Sequence, residues 1–459
     1  MQTKEAQSEL ICASFFNYKY HRMRKTIVFL FLSVFSFYTA KAQDSIRARE
    51  HINELCSARM HGRGYAYMGD SIAADYIRQQ FKLLGLTPYN STNYYDSYVF
   101  PVYSMEGTVA MSINGKELKA WDDFSFAPYS HSVNGEFRLL KLDPQTFTDK
   151  VRFERFCTKN KRKTERSILY IDLASIDDKE TAKKVKAAYN ALQDMNSLPF
   201  KGLMIGVDEI PVWSFSNAHT QCEHVLCFAK STLVNGKQDK VRLECTNELR
   251  QHNTQNVCAI VEGTGQSDSI VIIGAHYDHL GQMGDKVMFP GCHDNASGTA
   301  TMLDMANYFK AYPLPYTTVF VAFSGEEAGL LGSLHFAGDK RNKLDKVKLM
   351  LNIDLMCGGD DGFMMVNSQA ENTKTFYDML TDINKEGNMV KEIRTRPNAA
   401  NSDHYPFTQA GAPAVFIYTL GGRTGGYHSP TDTPDNASMS QYNNIVKLLI
   451  HGLERFCQQ

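Results

Sequence analysis

Histidine and carboxylate side chains follow apolar segments at several points between residues 276 and 428 of this 459-residue chain. They are His276, Asp278, Asp294, Glu326, Glu327, Asp354 and His428. Imidazole nitrogens and carboxylate oxygens in one set are typical ligands of zinc or a related divalent ion. A carboxylate that bridges two such ions would give a two-metal arrangement, which lowers the pKa of a bridging water and polarises a carbonyl group. The residue types therefore predict a metal site that acts on a carbonyl compound.

Two pairs in this set have spacings that suggest different roles for their members. His276 and Asp278 form an H-x-D pair, in which alternate residues at a strand end face the same way. Asp278 could bind a metal itself, or it could accept the other ring N–H of His276 and fix its tautomer. Glu326 and Glu327 are adjacent, so their side chains diverge. One of them can bind a metal while the other faces substrate and water as a general base.

Each of these residues alone also has a purely structural interpretation. Asp294 could cap the helix that follows it, and Glu326 and Glu327 could simply favour a helix N-terminus electrostatically. The joint placement of the set at the ends of successive predicted strands argues instead for one site. In open α/β sheets, ligands bind outside the carboxyl ends of the strands.

The elements that must position these residues alternate between strands and helices from about residue 251 onwards. Ile270–Ile273 and Val319–Phe323 are apolar on both faces, as expected of strands buried in a parallel sheet. The predicted strands are 256–261, 270–276, 317–323, 347–356 and 413–419, and the predicted helices are 297–312, 327–340, 372–386, 403–410 and 438–456. This alternation predicts an α/β fold, in which a mostly parallel mixed sheet is flanked by helices on both faces.

The part of the chain before residue 251 changes character along its length. Residues 43–105 begin with a helical pattern and are predicted to be the N-terminal part of the core whose remainder is 251–459. Residues 106–250 contain short strand-like segments, and their charged run KNKRKTER (159–166) is typical of a solvated face. We therefore predict that 106–250 is an inserted smaller domain, either α/β or β-rich.

The N-terminus has the pattern of a signal peptide within residues 1–42. Met23–Lys25 opens a basic segment, residues 27–38 are apolar, and Ala40–Ala42 is an A-x-A cleavage site. The apolar segment is short for a membrane span, so a retained membrane anchor is the less favoured alternative. We expect a mature chain that starts at Gln43, is exported to the periplasm or the medium, and has no stable membrane anchor.

Composition excludes several classes of function. Lys and Arg number 49 against 50 Asp and Glu, a net charge of -1, so the chain has no electrostatic footprint for nucleic acid or an anionic membrane. The ten cysteines contain no C-x-x-C pair, which excludes the usual zinc-finger spacing. An exported chain permits disulfides, and Cys222 and Cys227 are close enough in sequence to pair.

A series of motifs, in chain order, resembles the M28 family of zinc aminopeptidases. The motifs are AHYDHLG, DNASG, SGEEAGLLGS, NIDLMCGG, SDHYPF and YHSPTDT. The resemblance covers residues 44–105 and 251–457, and the middle segment does not carry it. It implies a phosphorylase/hydrolase-like α/β fold with two zinc ions. By the same resemblance the metal ligands would be His276, Asp294, Glu327, Asp354 and His428, with Asp294 as the bridge between the two ions.

The resemblance also implies a reaction and further site residues. The chain would be an aminopeptidase acting on peptides with a free N-terminus. Glu326 would be the general base, and Asp278 would orient the His276 ring. Tyr427 would hydrogen-bond the tetrahedral oxyanion, although it could equally be a packed loop aromatic.

Two further histidines and two other functions stay open. His293 precedes Asp294 where the family often has Asp or Asn, and its imidazole could perturb the metal site or compete as a ligand. His404 in SDHYPF is expected to brace the rim of the site rather than to contact substrate. A glutaminyl cyclase on the same scaffold would use one zinc ion to convert N-terminal Gln to pyroglutamate. A non-catalytic binding relative would have lost metal ligands, and none of the expected ligands is missing.

Overall fold

A computed structural model describes residues 45–164, 166–191, 199–214, 222–236, 238–422 and 426–459. They lie in one compact unit, Ser45–Gln459. The predicted signal peptide, residues 1–42, falls outside the described residues, so export stays a prediction. Within the described ranges, no helix combines the length and the apolar character that a membrane span requires.

Strands and α-helices alternate over most of this unit. The strands are β1 (Thr87–Pro88), β2 (Tyr95–Ile113), β3 (Lys116–Glu117), β4 (Phe124–Phe126), β5 (Val133–Lys141), β6 (Ser167–Asp172), β7 (Gly202–Val207), β8 (Val225–Lys230), β9 (Lys240–Val261), β10 (Ile270–His276), β11 (Gly281–Met283), β12 (Val287–Phe289), β13 (Thr317–Phe323), β14 (Val347–Ile353), β15 (Phe363–Val366), β16 (Ile393–Arg396) and β17 (Ala414–Thr419). The α-helices are α1 (Ser45–Leu55), α2 (Gly69–Leu83), α3 (Pro144–Thr148), α4 (Lys150–Thr164), α5 (Lys179–Ala191), α6 (Ser297–Ala311), α7 (Leu331–Gly338), α8 (Lys374–Gly387), α9 (His404–Gln409) and α10 (Tyr442–Phe456).

The most apolar strands occupy the middle of the main sheet. Every residue of β10 is buried, and β10 lies between β13 and β14 and runs parallel to both. β17 is parallel to β14, whereas β9 is antiparallel to β13. The full order is β16-β15-β17-β14-β10-β13-β9-β5-β6-β7-β8-β4. The predicted mostly parallel mixed sheet is therefore confirmed.

Helices cover both faces of this sheet. Val271 and Ile273 of β10 pack into a core that includes residues of α1, α2, α6, α8 and α10. Ile270 and Ile272 face the other way and pack into a second core with residues of α7 and α9. Because successive strand residues point to opposite faces, one wholly apolar strand needs an apolar layer on each side.

Several predicted element boundaries differ from those in the structure. The predicted helix 327–340 begins only at Leu331, because Gly329 and Leu330 have positive φ values of 107° and 63° and break the helical path. The predicted strand 347–356 ends at Ile353, so Asp354 follows the strand directly. The predicted strand 256–261 is the last part of β9, which is 22 residues long.

Residues 106–250 form an α/β layer on the same sheet. β5, β6, β7 and β8 are parallel neighbours. The first half of β9 pairs with β5, and its second half pairs with β13. Both predicted boundaries of the insert fall inside paired strands, since β2 crosses 105/106 and β9 crosses 250/251. The hydrogen-bonded ladder thus continues from the predicted insert into the core, and the division into domains stays a prediction.

A short hairpin ties this layer to the segment that carries Asp294. β11 and β12 are antiparallel, and Met283 and Phe289 pack into the apolar core of the insert. The Phe289 ring stacks on Trp213 with ring centroids 5.2 Å apart. The hairpin therefore anchors the chain just before Gly291, where the turn toward Asp294 begins.

The described cysteines form no disulfide. All nine of them are free, and the suggested pair of Cys222 and Cys227 is not bonded. Cys227 lies inside β8, where its buried side chain packs among apolar residues.

Candidate metal centre

The predicted site residues meet at one edge of the main sheet. His276 is the last residue of β10, and Asp354 is the first residue after β14. Glu326 and Glu327 lie in the loop between β13 and α7. Because these three strands are parallel neighbours, their carboxyl ends bring the side chains together.

The Asp294 carboxylate lies between two groups of donor atoms. Its Oδ1 is 3.4 Å from Nε2 of His276, and that nitrogen is also 3.4 Å from Oδ1 of Asp354. Its Oδ2 is 3.2 Å from Nε2 of His428, and that nitrogen is also 3.2 Å from Oε2 of Glu327. Each carboxylate oxygen of Asp294 thus belongs to a different imidazole–carboxylate group. The structure brings together the five side chains that the sequence resemblance assigns to two metal ions.

The structural alternatives for the acidic residues do not fit this geometry. The N–H of Gly298, in the first turn of α6, donates to Oδ1 of Asn295 at 2.8 Å, so Asn295 makes this capping contact. Glu326 and Glu327 precede the start of α7 by several residues. Their positions are therefore not explained by a helix N-terminus.

Several donor atoms in the two groups lack a hydrogen-bond partner. Nε2 of His276, Nε2 of His428 and Oδ1 of Asp354 are buried and make no hydrogen bond to any described residue. Buried polar atoms without partners are costly unless a ligand or ion satisfies them. The nitrogen and oxygen donors match the ligand preferences of zinc. The residues present therefore fit a divalent metal ion.

The charges in the site also call for positive charge at its centre. Burial raises the pKa of Asp294, but contacts with His276 and His428 outweigh it and hold the pKa well below its usual range. Burial lowers the pKa of His428, but the Glu327 and Asp294 carboxylates raise it to about 10. The Asp294 carboxylate is thus stabilised as an anion by its two neighbouring imidazoles. A metal ion would supply the same charge without protonating the imidazoles.

Glu326 differs electrostatically from its neighbour. Burial raises the pKa of Glu326 well above its usual range, and the Glu327 carboxylate adds to that effect. Glu327 has instead a pKa of about 2, since His428 and His279 more than offset its burial. Two adjacent carboxyl groups with opposite shifts are suited to different tasks, one accepting and releasing a proton and the other remaining ionised.

Asp278 contacts the site in a way that differs from the expected one. Nδ1 of His276 lies 3.1 Å from the backbone oxygen of Asp278, whereas the carboxylate Oδ1 is 3.7 Å away. The carboxylate accepts hydrogen bonds from the Tyr65 hydroxyl at 2.6 Å and from the backbone N–H groups of Glu326 and Glu327 at 3.2 and 3.3 Å. The backbone carbonyl therefore orients the His276 ring, and the side chain holds the loop that carries the two glutamates.

Three further residues at the site were not predicted from the sequence. Nδ1 of His279 is 2.7 Å from Oε1 of Glu327. The carboxylate of Asp432 accepts hydrogen bonds from the backbone N–H groups of His293 at 2.8 Å and Asp294 at 3.1 Å. The fully buried guanidinium of Arg63 donates to backbone carbonyls on either side of this turn, including Pro290 at 2.6 Å and Gly291 at 2.7 Å. His279 and Asp432 lie within the AHYDHLG and YHSPTDT motifs, which was the available signal.

The two histidines whose roles were open both make structural contacts. Nδ1 of His293 accepts a hydrogen bond from the backbone N–H of Cys357 at 3.1 Å. That nitrogen is therefore not free to compete for a metal ion. Nε2 of His404 lies 3.1 Å from Oδ1 of Asn398, and its ring packs against Phe416. These two contacts hold His404 in place, and its bracing role stays a prediction.

A cavity of about 210 Å³ opens onto three of the five predicted metal ligands. It is lined by His276, Asp294, Glu326, Asp354, Leu355, Arg396, Asn401, Phe416, Tyr418 and Tyr427. The Tyr427 ring is half exposed and stacks on His428 with centroids 3.8 Å apart. A substrate group in this cavity would meet Glu326 and Tyr427 together.

Comparison with known proteins identifies the segment that carries this site. The family model for peptidase family M28 matches residues 256–452. This segment belongs to peptidase family M28. All five predicted ligands, Glu326 and Tyr427 lie within the M28 segment.

Curated relatives align with part of the chain. The chain is 30% identical over 194 residues to a probable leucine aminopeptidase of Arthroderma otae. This alignment covers 40% of this chain and 54% of the relative. The chain is 28% identical over 232 residues to aminopeptidase YwaD of Bacillus subtilis, in an alignment that covers 45% of this chain and 47% of the relative. The chain spans about half the length of the curated relatives that it matches.

Solved structures share the M28 fold over most of the chain. A zinc aminopeptidase from Bacillus subtilis, BSAP, has a TM-score of 0.63 at 19% identity, covering 88% of this chain and 94% of its own. A peptidase M28 precursor from Shewanella amazonensis has a TM-score of 0.62 at 17% identity, covering 93% of this chain and 96% of its own. At this coverage the shared fold extends into residues 106–250, where the sequence motifs are absent.

Proposed function

We propose that this chain is an exported, zinc-dependent aminopeptidase that removes N-terminal residues from peptides. The observation that carries the proposal is the Asp294 carboxylate, whose two oxygens lie 3.4 and 3.2 Å from the imidazoles of His276 and His428. A relative described as a probable leucine aminopeptidase supports the reaction, and a structural neighbour described as a zinc aminopeptidase supports the metal.

The donor atoms fit two zinc ions that share Asp294. His276 and Asp354 would hold one ion with one Asp294 oxygen, and Glu327 and His428 would hold the other ion with the second oxygen. Zinc in such a site polarises a carbonyl group and lowers the pKa of water. The position of Nδ1 of His276 against the Asp278 carbonyl leaves Nε2 as the nitrogen available to a metal.

Glu326 is the residue suited to move protons in this reaction. Its carboxyl group lines the cavity, and burial raises its pKa, which makes its carboxylate a stronger base than that of an exposed glutamate. In the proposed reaction a Glu326 carboxylate oxygen accepts a proton from the attacking water. The same group then delivers that proton to the leaving amine nitrogen as the peptide C–N bond breaks.

Two other features of the cavity would select and stabilise the substrate. The Tyr427 hydroxyl would donate a hydrogen bond to the oxyanion that forms when the carbonyl is attacked. The carboxylates that line the cavity would attract the protonated amine of a free N-terminus. A peptide whose N-terminus is acetylated lacks this charge.

Export would place the enzyme among peptides outside the cytoplasm. This part of the proposal rests on the signal-peptide pattern of residues 1–42. Expression of the full chain followed by N-terminal sequencing of the exported product should give Gln43 as the first residue. An intact N-terminus on membrane-bound protein would support the anchor instead.

The proposed activity is tested with purified protein that begins at Gln43. Peptides with free N-termini and matched N-acetylated peptides are incubated with the protein and followed by mass spectrometry, with a chelator and then with zinc restored. We expect stepwise loss of N-terminal residues from the free peptides alone, which stops with chelator and returns with zinc. Loss of ammonia confined to N-terminal Gln would identify a cyclase, and unchanged peptides in the presence of bound zinc would contradict an enzymatic function.

A further inference from the structure

The cavity over the metal ligands contains a cation that the proposed reaction does not use. Arg396 lines this cavity together with Asp294, Glu326 and Asp354. Among the described residues, no carboxylate forms an ion pair with Arg396. Arg394, two residues earlier on the same strand, is paired with Glu392. The two arginines are therefore in different electrostatic situations although both are exposed.

The fold holds Arg396 at a defined distance from the reacting end of the cavity. Arg396 ends β16 and pairs with Val366 of β15, and Val366 pairs in turn with Phe416 of β17. Two strand spacings of about 4.8 Å each place the backbone of Arg396 roughly 10 Å from that of Phe416. A side chain at Arg396 can thus reach a substrate that lies against Phe416.

The loop after Arg396 is tied to a metal ligand. The Ser402 hydroxyl donates to Oδ2 of Asp354 at 2.9 Å, and Asn352 donates to the same hydroxyl oxygen at 2.7 Å. Asn401, directly before Ser402, lines the cavity with Arg396. These contacts fix the C-terminal end of the loop relative to Asp354, while the pairing of Arg396 with Val366 holds the backbone at the other end.

The walls of the cavity limit what can lie between its two ends. Phe416 and Tyr418 are two residues apart on β17, share one face of the strand, and pack with ring centroids 5.2 Å apart and an interplanar angle of 38°. The volume of about 210 Å³ is below the roughly 300 Å³ at which ligand pockets usually begin. Such a space suits one or two small residues with an amine near the carboxylates and an anion near the arginine.

We propose that Arg396 is a specificity-determining residue that binds a carboxylate of the substrate. This inference rests on the proposed aminopeptidase function and adds the substrate class, which is short or acidic peptides. An exposed guanidinium forms bidentate, charge-assisted hydrogen bonds with a carboxylate. The carboxylate has two sources, the acidic side chain of a terminal residue or the free C-terminus of a dipeptide. A solvated edge-strand cation would instead show no preference between substrates.

The test compares substrate pairs that differ only in one carboxylate. The first pair is a C-terminally amidated peptide with Glu or with Gln at its N-terminus. The second pair is a dipeptide with a free or an amidated C-terminus. Wild-type protein is compared with Arg396→Gln and Arg396→Lys, and Arg394→Gln removes the same charge from the same strand as a matched control.

We expect wild type to prefer the carboxylate member of at least one pair by about tenfold or more in kcat/KM. Arg396→Gln should abolish this preference mainly by raising KM for the member of the pair that carries the carboxylate, and Arg396→Lys should partly restore the preference. Arg394→Gln should retain the preference. The substrate pair for which Arg396→Gln protein no longer prefers the carboxylate member identifies the source of the carboxylate. The preference should also fall when ionic strength rises from about 0.01 M to about 1 M, because the Debye length falls from about 30 Å to about 3 Å.

The outcomes separate this inference from the proposed function. Turnover of neutral peptides, with no preference in either pair and no effect of Arg396→Gln, would overturn the role of Arg396 and leave the aminopeptidase standing. If no peptide is cleaved, calorimetric binding of the zinc-loaded protein to the same peptides still measures the role of Arg396. Equal binding of both members of each pair would then overturn it as well.

Discussion

Replacing Asp278 with Asn tests whether this carboxylate holds the loop that carries Glu326 and Glu327. Oδ1 accepts from the backbone N–H of Glu326, while Oδ2 accepts from the backbone N–H of Glu327 and from the Tyr65 hydroxyl. An Asn side chain has one oxygen and one NH₂ group, so in either orientation its NH₂ group faces a backbone N–H donor.

The expected magnitude comes from these contacts. One buried donor without an acceptor costs roughly 1–3 kcal/mol. We therefore expect Asp278→Asn to lower the free energy of unfolding by about that amount. The same free-energy cost would apply to placing Glu326 correctly for the reaction. Since about 1.4 kcal/mol corresponds to a tenfold change in rate, we expect kcat/KM to fall roughly 10- to 100-fold.

Tyr65→Phe provides the comparison, because it removes one hydrogen bond to Asp278 without changing charge. Urea unfolding and peptide turnover are measured for both single variants and for the double variant. We expect the two changes to be coupled by about 0.5 kcal/mol or more. If Tyr65→Phe leaves turnover unchanged while Asp278→Asn abolishes it, the carboxylate acts on His276 rather than on the loop. Normal turnover and stability of Asp278→Asn would refute the reasoning altogether.

Three further predictions concern the proposed metal, the proposed general base and a partly buried histidine. Removing the metal with a chelator should abolish turnover and lower the melting temperature, since an ion bound at 100 to 1,000 times its Kd contributes roughly 3–4 kcal/mol; an unchanged melting temperature would contradict the metal site. Glu326→Gln should retain the bound zinc measured by elemental analysis and lower kcat at least about 100-fold, whereas near-normal turnover would remove Glu326 as the base. Burial lowers the pKa of His51 from 6.5 to about 4, so its contribution to stability is complete above pH 6.5 and is lost as the pH falls toward 4. His51→Gln protein should therefore lose less unfolding free energy than wild type over that range, and parallel losses would contradict the assignment.

The central sheet and the meeting of the site residues could be predicted because their signals are local. β10 and β13 are continuous apolar segments with the same bounds as the predicted strands. Parallel neighbouring strands end at the same edge of a sheet, so His276 and Glu327 meet without any detailed knowledge of the loops. Their roles as metal ligands stay a prediction.

Other features depend on tertiary contacts that leave little trace in the sequence. β9 mixes exposed polar and buried apolar residues over 22 positions, so only its apolar end was predicted as a strand. The contact of His279 with Glu327 requires the β13–α7 loop, whose path is set by the positive φ of Leu330. Likewise, the entry of Arg396 into the cavity depends on the strand pairings of β15.

The pairing of β2 with β9 has a consequence for how the chain acquires its structure. Tyr95 pairs with Val257 and Ile113 pairs with Val241, so this ladder joins segments that are far apart along the chain. Closing so large a loop carries an entropic cost before the contacts are gained, and sheets built from distant strands form slowly. β9 is hydrogen-bonded to β5 in residues 106–250 and to β13 in the core. The edges of β5 and β13 that face β9 therefore stay unpaired until this strand docks. We expect the two halves to fold in one concerted late step, during which the open edges of β5 and β13 are the surfaces most exposed to aggregation.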